Sequence, residues 1–206
     1  MLRKPQATLA LLAISLFCCS PAWAHDAFGN GKSVLTGALH LLTSPLSIAA
    51  LLGLILALVG IPERLSFIAG GLAAAASAAA AAAPAFSANL AASTAPAAVV
   101  VIGLTSVFAI KPSATGVIVL SLLAGTAAGQ AADLDTPSWQ GVIGVAGVML
   151  FITISALAAS EDLSRLVQSK PPWLKAALPI ARRVVGSWLA AIGLLLAALA
   201  LHAKPV

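Results

Sequence analysis

Few side chains in this chain of 206 residues can bind a metal or transfer a proton. There are three histidines, six acidic residues and two adjacent cysteines, Cys18 and Cys19. Adjacent cysteines provide neither the C-x-x-C spacing of metal and redox sites nor a disulfide framework. The sequence also contains no H-E-x-x-H, P-loop or C-x-x-C-H motif and no Ser-His-Asp arrangement. We therefore expect that the protein is not an enzyme.

His40 is the first candidate for a binding residue. It lies six residues into an apolar segment that begins at Val34, which is about 9 Å along a helix axis. Residues 43–47 then supply three hydroxyl groups and a proline, which frees a backbone carbonyl one turn earlier. Because an ionisable group inside a membrane span is costly, such a group indicates a functional site, here for a cation or a polar solute. The alternative is a neutral histidine at the membrane interface that hydrogen-bonds a nearby hydroxyl or carbonyl group.

Five weaker candidates are expected on the same side of a membrane as His40. They are His25, Asp26, Asp133, Asp135 and His202. Together they would form an outer vestibule that attracts divalent cations. Alternatively, they are solvated loop ends, because charged side chains near helix ends reach water by snorkelling.

The elements that position these residues must lie in a membrane. Apolar residues make up 61% of the chain and charged residues 8%, whereas a soluble domain carries about a quarter charged residues. The mean hydropathy is +1.06, which excludes a water-soluble domain. The net charge is +5, but so few charges spread along the chain predict no nucleic-acid-binding face.

Residues 1–24 have the pattern of a signal peptide. They start with two basic residues, continue as an apolar stretch and close with Ala22-x-Ala24, a small-residue cleavage pattern. We expect cleavage before His25, which places the new terminus outside the cytoplasm. The alternative is an uncleaved first helix, although its apolar stretch is shorter than the roughly 20 residues that cross a bilayer.

Residues 25–206 are predicted to form one domain, an all-α integral membrane protein with a six-helix transmembrane bundle. The expected spans are about 34–59, 65–83, 91–110, 113–132, 139–159 and 180–201. Proline, asparagine and charged residues separate them. Pro96 lies either in the first turn of the third span or at a kink within it. Residues 161–175 are expected to form an amphipathic surface stretch followed by a Pro-Pro turn.

The distribution of basic residues predicts the orientation. With the mature N-terminus outside, the cytoplasmic side would carry Arg64, Lys111, Arg165, Lys170, Lys175, Arg182 and Arg183. The outer side would carry only Lys32 and Lys204. This bias follows the positive-inside rule. It predicts a multi-pass membrane protein with both termini outside the cytoplasm.

Small residues are expected to let these helices approach closely. The clearest spacing is Gly125-x-x-x-Gly129, and residues 73–83 are almost all alanine. Such spacings commonly mediate helix packing in lipid. They are frequent in any membrane chain rich in Gly and Ala, so they leave the oligomeric state open.

Four stretches resemble the HupE/UreJ family of bacterial hydrogenase and urease accessory membrane proteins. Residues 37–47, GALHLLTSPLS, resemble the family pattern G-x-x-H-P-x-x-G-x-D-H. Residues 123–131, LAGTAAGQA, resemble F-H-G-x-A-H-G-x-E. The Ala-His-Asp sequence at 24–26 is similar to the family's mature start, and ARRVVG at 181–186 is similar to the basic beginning of its last helix.

The resemblance implies a six-span protein that takes up or delivers nickel. Of the family's metal-binding positions this chain keeps only His40. The other positions hold Leu46, Ser47, Ala124, Ala128 and Ala131. Imidazole and carboxylate groups give metal affinity, and alanine methyl groups do not.

Two functions of different classes therefore stay open. The first is a transporter of a divalent metal of the nickel or cobalt class, or of another small solute; the metal would be its cargo, and the sequence identifies no cofactor with certainty. The second is a non-transporting accessory or scaffold protein that binds a metalloenzyme maturation partner. Both interpretations make the lipid bilayer a partner and exclude nucleic acid.

Overall fold

The computed structural model describes residues 33–132, 134, 138–168 and 171–202, and only the backbone of 84–93, 161, 163–168, 174 and 201. Within these ranges every regular element is a helix. The helices are α1 (Val34–Thr43), α2 (Pro45–Leu58), α3 (Glu63–Ala82), α4 (Pro84–Val107), α5 (Ala114–Ala131), α6 (Trp139–Gln168) and α7 (Pro172–His202). The predicted signal peptide lies outside the described residues.

Serine side chains and prolines set where several of these helices begin. The Ser33 hydroxyl accepts a hydrogen bond from the Thr36 backbone N–H and caps α1. Ser113 caps α5 in the same way by accepting from the N–H of Gly116. Such caps satisfy backbone donors that have no partner inside the helix. Proline occupies the first turn of α2 and of α4, where its missing N–H costs nothing.

Four helices are long and apolar enough to cross a membrane by length and composition. They are α3, α5, the part of α6 from Trp139 to Ser160 and the part of α7 from Lys175 to Ala200. The pair α1 and α2 adds a fifth span if it is counted as one, but it is bent by 79°. The predicted continuous span 34–59 is therefore a broken helix. The apolar segment Thr94–Val107 of α4 is shorter than a span, so the structure supports four or five of the six predicted spans.

The short helix α2 lies at the centre of the bundle, where it packs against α5 and α4 and also touches α6 and α7. On one side, α3 packs against both α5 and α6, and α1 packs across α6. On the other side, α4 packs along α7. The fully buried core includes Leu41, Leu54, Leu58, Ile102 and Met149.

The basic residues collect at one end of the bundle. Helices α2 to α7 alternate in direction, so one end holds the C-terminal ends of α2 and α4 and the N-terminal ends of α3, α5 and α7. Every Lys and Arg in the described part of the chain lies at or near this end, which we call the basic end; they are Arg64, Lys111, Arg165, Lys175, Arg182 and Arg183. The break between α1 and α2 and the C-terminus of α7 lie at the opposite end.

Large apolar side chains cover the outside of the bundle. Phe151 is 71% exposed and Leu199 60% exposed. Exposed apolar surface on this scale, on helices long enough to cross a membrane, indicates contact with lipid. Trp139 and Trp173 are also exposed and begin antiparallel helices from opposite ends, as expected for aromatic residues at the two membrane interfaces.

Close backbone contacts hold the helices together. Gly125 and Gly129 of α5 lie against Ala73 and Ser77 of α3, where an added β-carbon would overlap backbone atoms. On the other side of the bundle, a β-carbon added to Gly103 of α4 would lie 2.8 Å from the backbone nitrogen of Ala190 in α7. Small residues therefore allow these helices to approach closely within one chain, as the sequence predicted.

Candidate functional site

The break between α1 and α2 is the main irregularity at the end opposite the basic end. Ser44 separates the two helices with an extended backbone, φ −75° and ψ 117°. This conformation is favoured because the Pro45 ring disfavours helical geometry in the residue before it. The Ser44 hydroxyl accepts a hydrogen bond from the Ser47 N–H at 3.4 Å, so it caps the new helix. Sequence and sterics together therefore fix the 79° bend.

His40 lies in the last turn of α1, immediately before this break. Its side chain is half-buried, and its carbonyl accepts the Ser44 N–H at 3.1 Å. The Thr43 hydroxyl donates to the Leu39 carbonyl at 2.8 Å. The carbonyls of Leu39 and His40 thus accept hydrogen bonds from residues at the break. The imidazole group of His40 lies beside this interruption of the helix.

A second hydrogen bond ties the break to the C-terminal half of α5. The buried Ser47 hydroxyl donates to the Ala128 carbonyl at 3.0 Å. The same carbonyl also accepts the Ala132 N–H at 3.0 Å. Near this point the Thr94 hydroxyl donates to the Gln130 side-chain oxygen at 3.2 Å. The N-terminal end of α2 is therefore hydrogen-bonded to α5 and lies next to the polar groups at the end of α1.

This hydrogen bond also joins the two stretches that resemble the HupE/UreJ motifs. Ser47 and Ala128 stand at histidine positions of those motifs, and both are completely buried. Ala124, at another histidine position, is completely buried as well. In this chain, small and fully buried side chains occupy these three positions. The hydrogen bond from the Ser47 hydroxyl to the Ala128 carbonyl lies at the positions where those motif patterns have histidine.

The remaining predicted site residues do not join His40 within the described structure. His202 is exposed at the end of α7, and its Nδ1 lies 2.8 Å from the Ala198 carbonyl. The predicted vestibule residues His25, Asp26, Asp133 and Asp135 lie outside the described residues. In the ranges that are described, no group of three His, Cys, Asp or Glu side chains has the arrangement of a metal site.

A cavity of about 390 Å³ lies at the basic end. The sequence analysis used the basic residues there only to predict the orientation of the protein in the membrane. Its walls are mostly apolar, but Lys175 and Arg182 of α7 also line it. Arg182 Nη2 donates to the Ala57 carbonyl at 3.2 Å. Among the described groups the buried Arg182 Nε has no hydrogen-bond partner. The seven-residue spacing of two cations, which places them on one helix face, was the sequence signal for this feature.

The class of protein that fold and composition define is a multi-pass helical membrane protein. The chain matches no protein-family model, no curated protein and no solved structure. The resemblance to the HupE/UreJ family therefore rests on the motif residues within 24–26, 37–47, 123–131 and 181–186.

Proposed function

We propose that this protein is a membrane transporter for a small solute and that the solute binds at the broken helix next to His40. The observation that carries the proposal is the 79° break between α1 and α2 next to a half-buried histidine. Secondary transporters commonly bind substrates at interrupted helices, where backbone and side-chain polar groups are available inside the membrane.

The position of α2 supports this proposal. An α-helix of this length, Pro45–Leu58, reaches about 21 Å at 1.5 Å per residue, which is less than the roughly 30 Å hydrocarbon core. It is nevertheless central and is surrounded by longer helices. The helix α2 begins at the end of the bundle opposite the basic end, where Pro45 is exposed and Ser47 is buried. A solute would therefore meet the polar groups of the break at the mouth of the bundle, next to its packed interior.

The solute class follows from the HupE/UreJ resemblance, which favours a divalent metal of the nickel or cobalt class. His40 would supply one neutral imidazole ligand. Completing a site would require further donors, for which His25, Asp26, Asp133 and Asp135 are the candidates. The proposed location is the bacterial inner membrane with both termini periplasmic, supported by the collection of described Lys and Arg residues at one end.

The experiment is uptake by the purified protein in sealed proteoliposomes, with nickel, cobalt, copper and zinc as separate probes. We expect saturable uptake of at least one metal by the wild type and its loss in His40→Ala. His202→Ala is the matched control, because it removes an exposed histidine at the same end of the bundle whose Nδ1 bonds the Ala198 carbonyl of its own helix and which does not join His40 in the described structure. Equal uptake by wild type and His40→Ala would refute the assignment of His40.

A second candidate function is a non-transporting accessory protein that binds a metalloenzyme maturation partner. It is favoured by the complete burial of Ser47 and Ala128 at family ligand positions, since packed small side chains leave no ligand set there. Absence of uptake for all four metals, together with co-purification of a metalloenzyme partner, would favour this function over transport.

A further inference from the structure

The cavity at the basic end is built by four segments of the bundle. Leu56 and Val59 come from the end of α2, Ala109 follows α4, Ser160 belongs to α6, and the remaining wall is α7. Its volume of about 390 Å³ lies within the roughly 300–1,000 Å³ of small-molecule sites. It is at the other end of the bundle from His40, so a ligand bound in it is independent of the proposed function.

One face of α7 gives this cavity both charge and apolar surface. Lys175 and Arg182 are two turns apart, about 10 Å along the helix axis. Leu178 lies between them on the same face, and Val185 follows one turn after Arg182. Leu178 is 37% and Val185 41% exposed. Both residues lie within Lys175–Ala200, the part of α7 that is apolar enough to cross a membrane, so we expect the cavity to open toward lipid.

Arg182 has hydrogen-bonding capacity that the described protein groups do not use. A guanidinium group has five N–H donors, and here one hydrogen bond is made, from Nη2 to the Ala57 carbonyl. That carbonyl belongs to the last turn of α2, where helix carbonyls lack intrahelical partners. Nε is buried with no partner in the described part of the chain. The described residues that line the cavity include no carboxylate to neutralise the two cations.

We infer that this cavity binds an anionic phospholipid, with the phosphate between Arg182 and Lys175 and an acyl chain along Val185 and Leu56. Guanidinium groups bind phosphate through paired, charge-assisted hydrogen bonds. The apolar walls and the opening toward lipid favour an anion that carries an acyl chain over a water-soluble anion. Arg64, Lys111 and Arg183, which lie at the same end, add the positive field that attracts anionic lipids.

The test is native mass spectrometry of the full-length protein in detergent, with phosphatidylglycerol and phosphatidylcholine of identical acyl chains as probes. The wild type should retain phosphatidylglycerol preferentially. Arg182→Gln should weaken that binding about tenfold, the factor for one lost charge-assisted hydrogen bond. Arg183→Gln is the matched control: it makes the same charge change at the next position, which is exposed and does not line the cavity.

Three results would overturn the inference. The first is equal retention of both lipids by the wild type, and the second is an equal loss in Arg182→Gln and Arg183→Gln. The third is binding of inorganic phosphate as tightly as phosphatidylglycerol, which would assign the cavity to a free anion.

A second variant keeps the inference testable if Arg182→Gln unfolds because α2 loses its contact at Ala57. Val185→Trp retains both cations and fills the space assigned to the acyl chain. It should lower phosphatidylglycerol retention while leaving the helix content measured by circular dichroism unchanged. Undiminished lipid retention by a folded Val185→Trp protein would contradict the placement of the lipid.

Discussion

Replacing Gly125 with alanine is expected to force α3 and α5 apart. The added β-carbon would overlap the Ala73 carbonyl oxygen and lie 2.9 Å from both the carbonyl carbon and Cα of that residue. Ordinary contact begins at 3.4 Å, so the two backbones must separate by at least about 0.5 Å. Such a gap removes about a quarter of the dispersion attraction across the contact. Overpacking of this kind typically costs about 1–3 kcal/mol.

The matched control is Gly71→Ala on α3, where an added β-carbon has no neighbour within 4 Å. Both variants gain up to about 1 kcal/mol of helix propensity, so their difference isolates the cost of packing. We expect Gly125→Ala to be less stable than Gly71→Ala by about 2 kcal/mol, or about 4–8 °C in melting temperature. Thermal unfolding in detergent, followed by circular dichroism, measures this difference. Identical melting temperatures would refute the close approach of α3 and α5.

Two further predictions concern buried hydroxyl groups and are checked by denaturant unfolding in detergent. Ser47→Ala should lower the free energy of unfolding by about 1 kcal/mol, because it removes the hydrogen bond to the Ala128 carbonyl; Ser187→Ala, exposed and bonded only within its own helix, should have no effect. Thr153→Val should be neutral or stabilising by up to about 1 kcal/mol, since its buried hydroxyl has no partner among the described residues. Ser121→Ala, which loses a buried hydrogen bond, should instead destabilise the protein. A destabilised Thr153→Val or an unchanged Ser47→Ala would contradict these assignments.

The helices α3, α5, α6 and α7 were predictable from apolar runs bounded by proline and charged residues. The break in the first predicted span was not, although Pro45 stood inside it. A run of apolar residues reports only how well a segment suits lipid, and that suitability is the same for a straight and a bent helix. The bend depends on local sterics before proline and on the Ser44 cap.

The third predicted span shows a related difference. The sequence allowed Pro96 in the first turn or at a kink, and the structure places it inside α4. The helix begins earlier, at Pro84, while its apolar segment Thr94–Val107 is shorter than a span. The length of a helix and the length of its apolar segment therefore differ here. Counting apolar residues in the sequence estimates only the length of the apolar segment.

The candidate sites, too, were only partly predictable from the sequence. His40 was identified from sequence because an ionisable residue in an apolar run is conspicuous. Its contact region with α5 was not identified, because the hydrogen bond from Ser47 to Ala128 joins residues far apart in the chain. The cavity around Arg182 likewise requires segments from four parts of the sequence. The sequence carried only the seven-residue spacing of Lys175 and Arg182.

The most direct test of solute transport at the broken helix is metal uptake by Pro45→Ala in proteoliposomes, alongside the wild type and Pro179→Ala. Removing Pro45 restores a backbone N–H and lets α1 and α2 join as one helix, whereas Pro179 is an exposed proline inside α7. With nickel or cobalt as the probe, we predict uptake by the wild type and Pro179→Ala and its loss in folded Pro45→Ala. Undiminished uptake by Pro45→Ala, or no uptake by the wild type, would contradict the proposal.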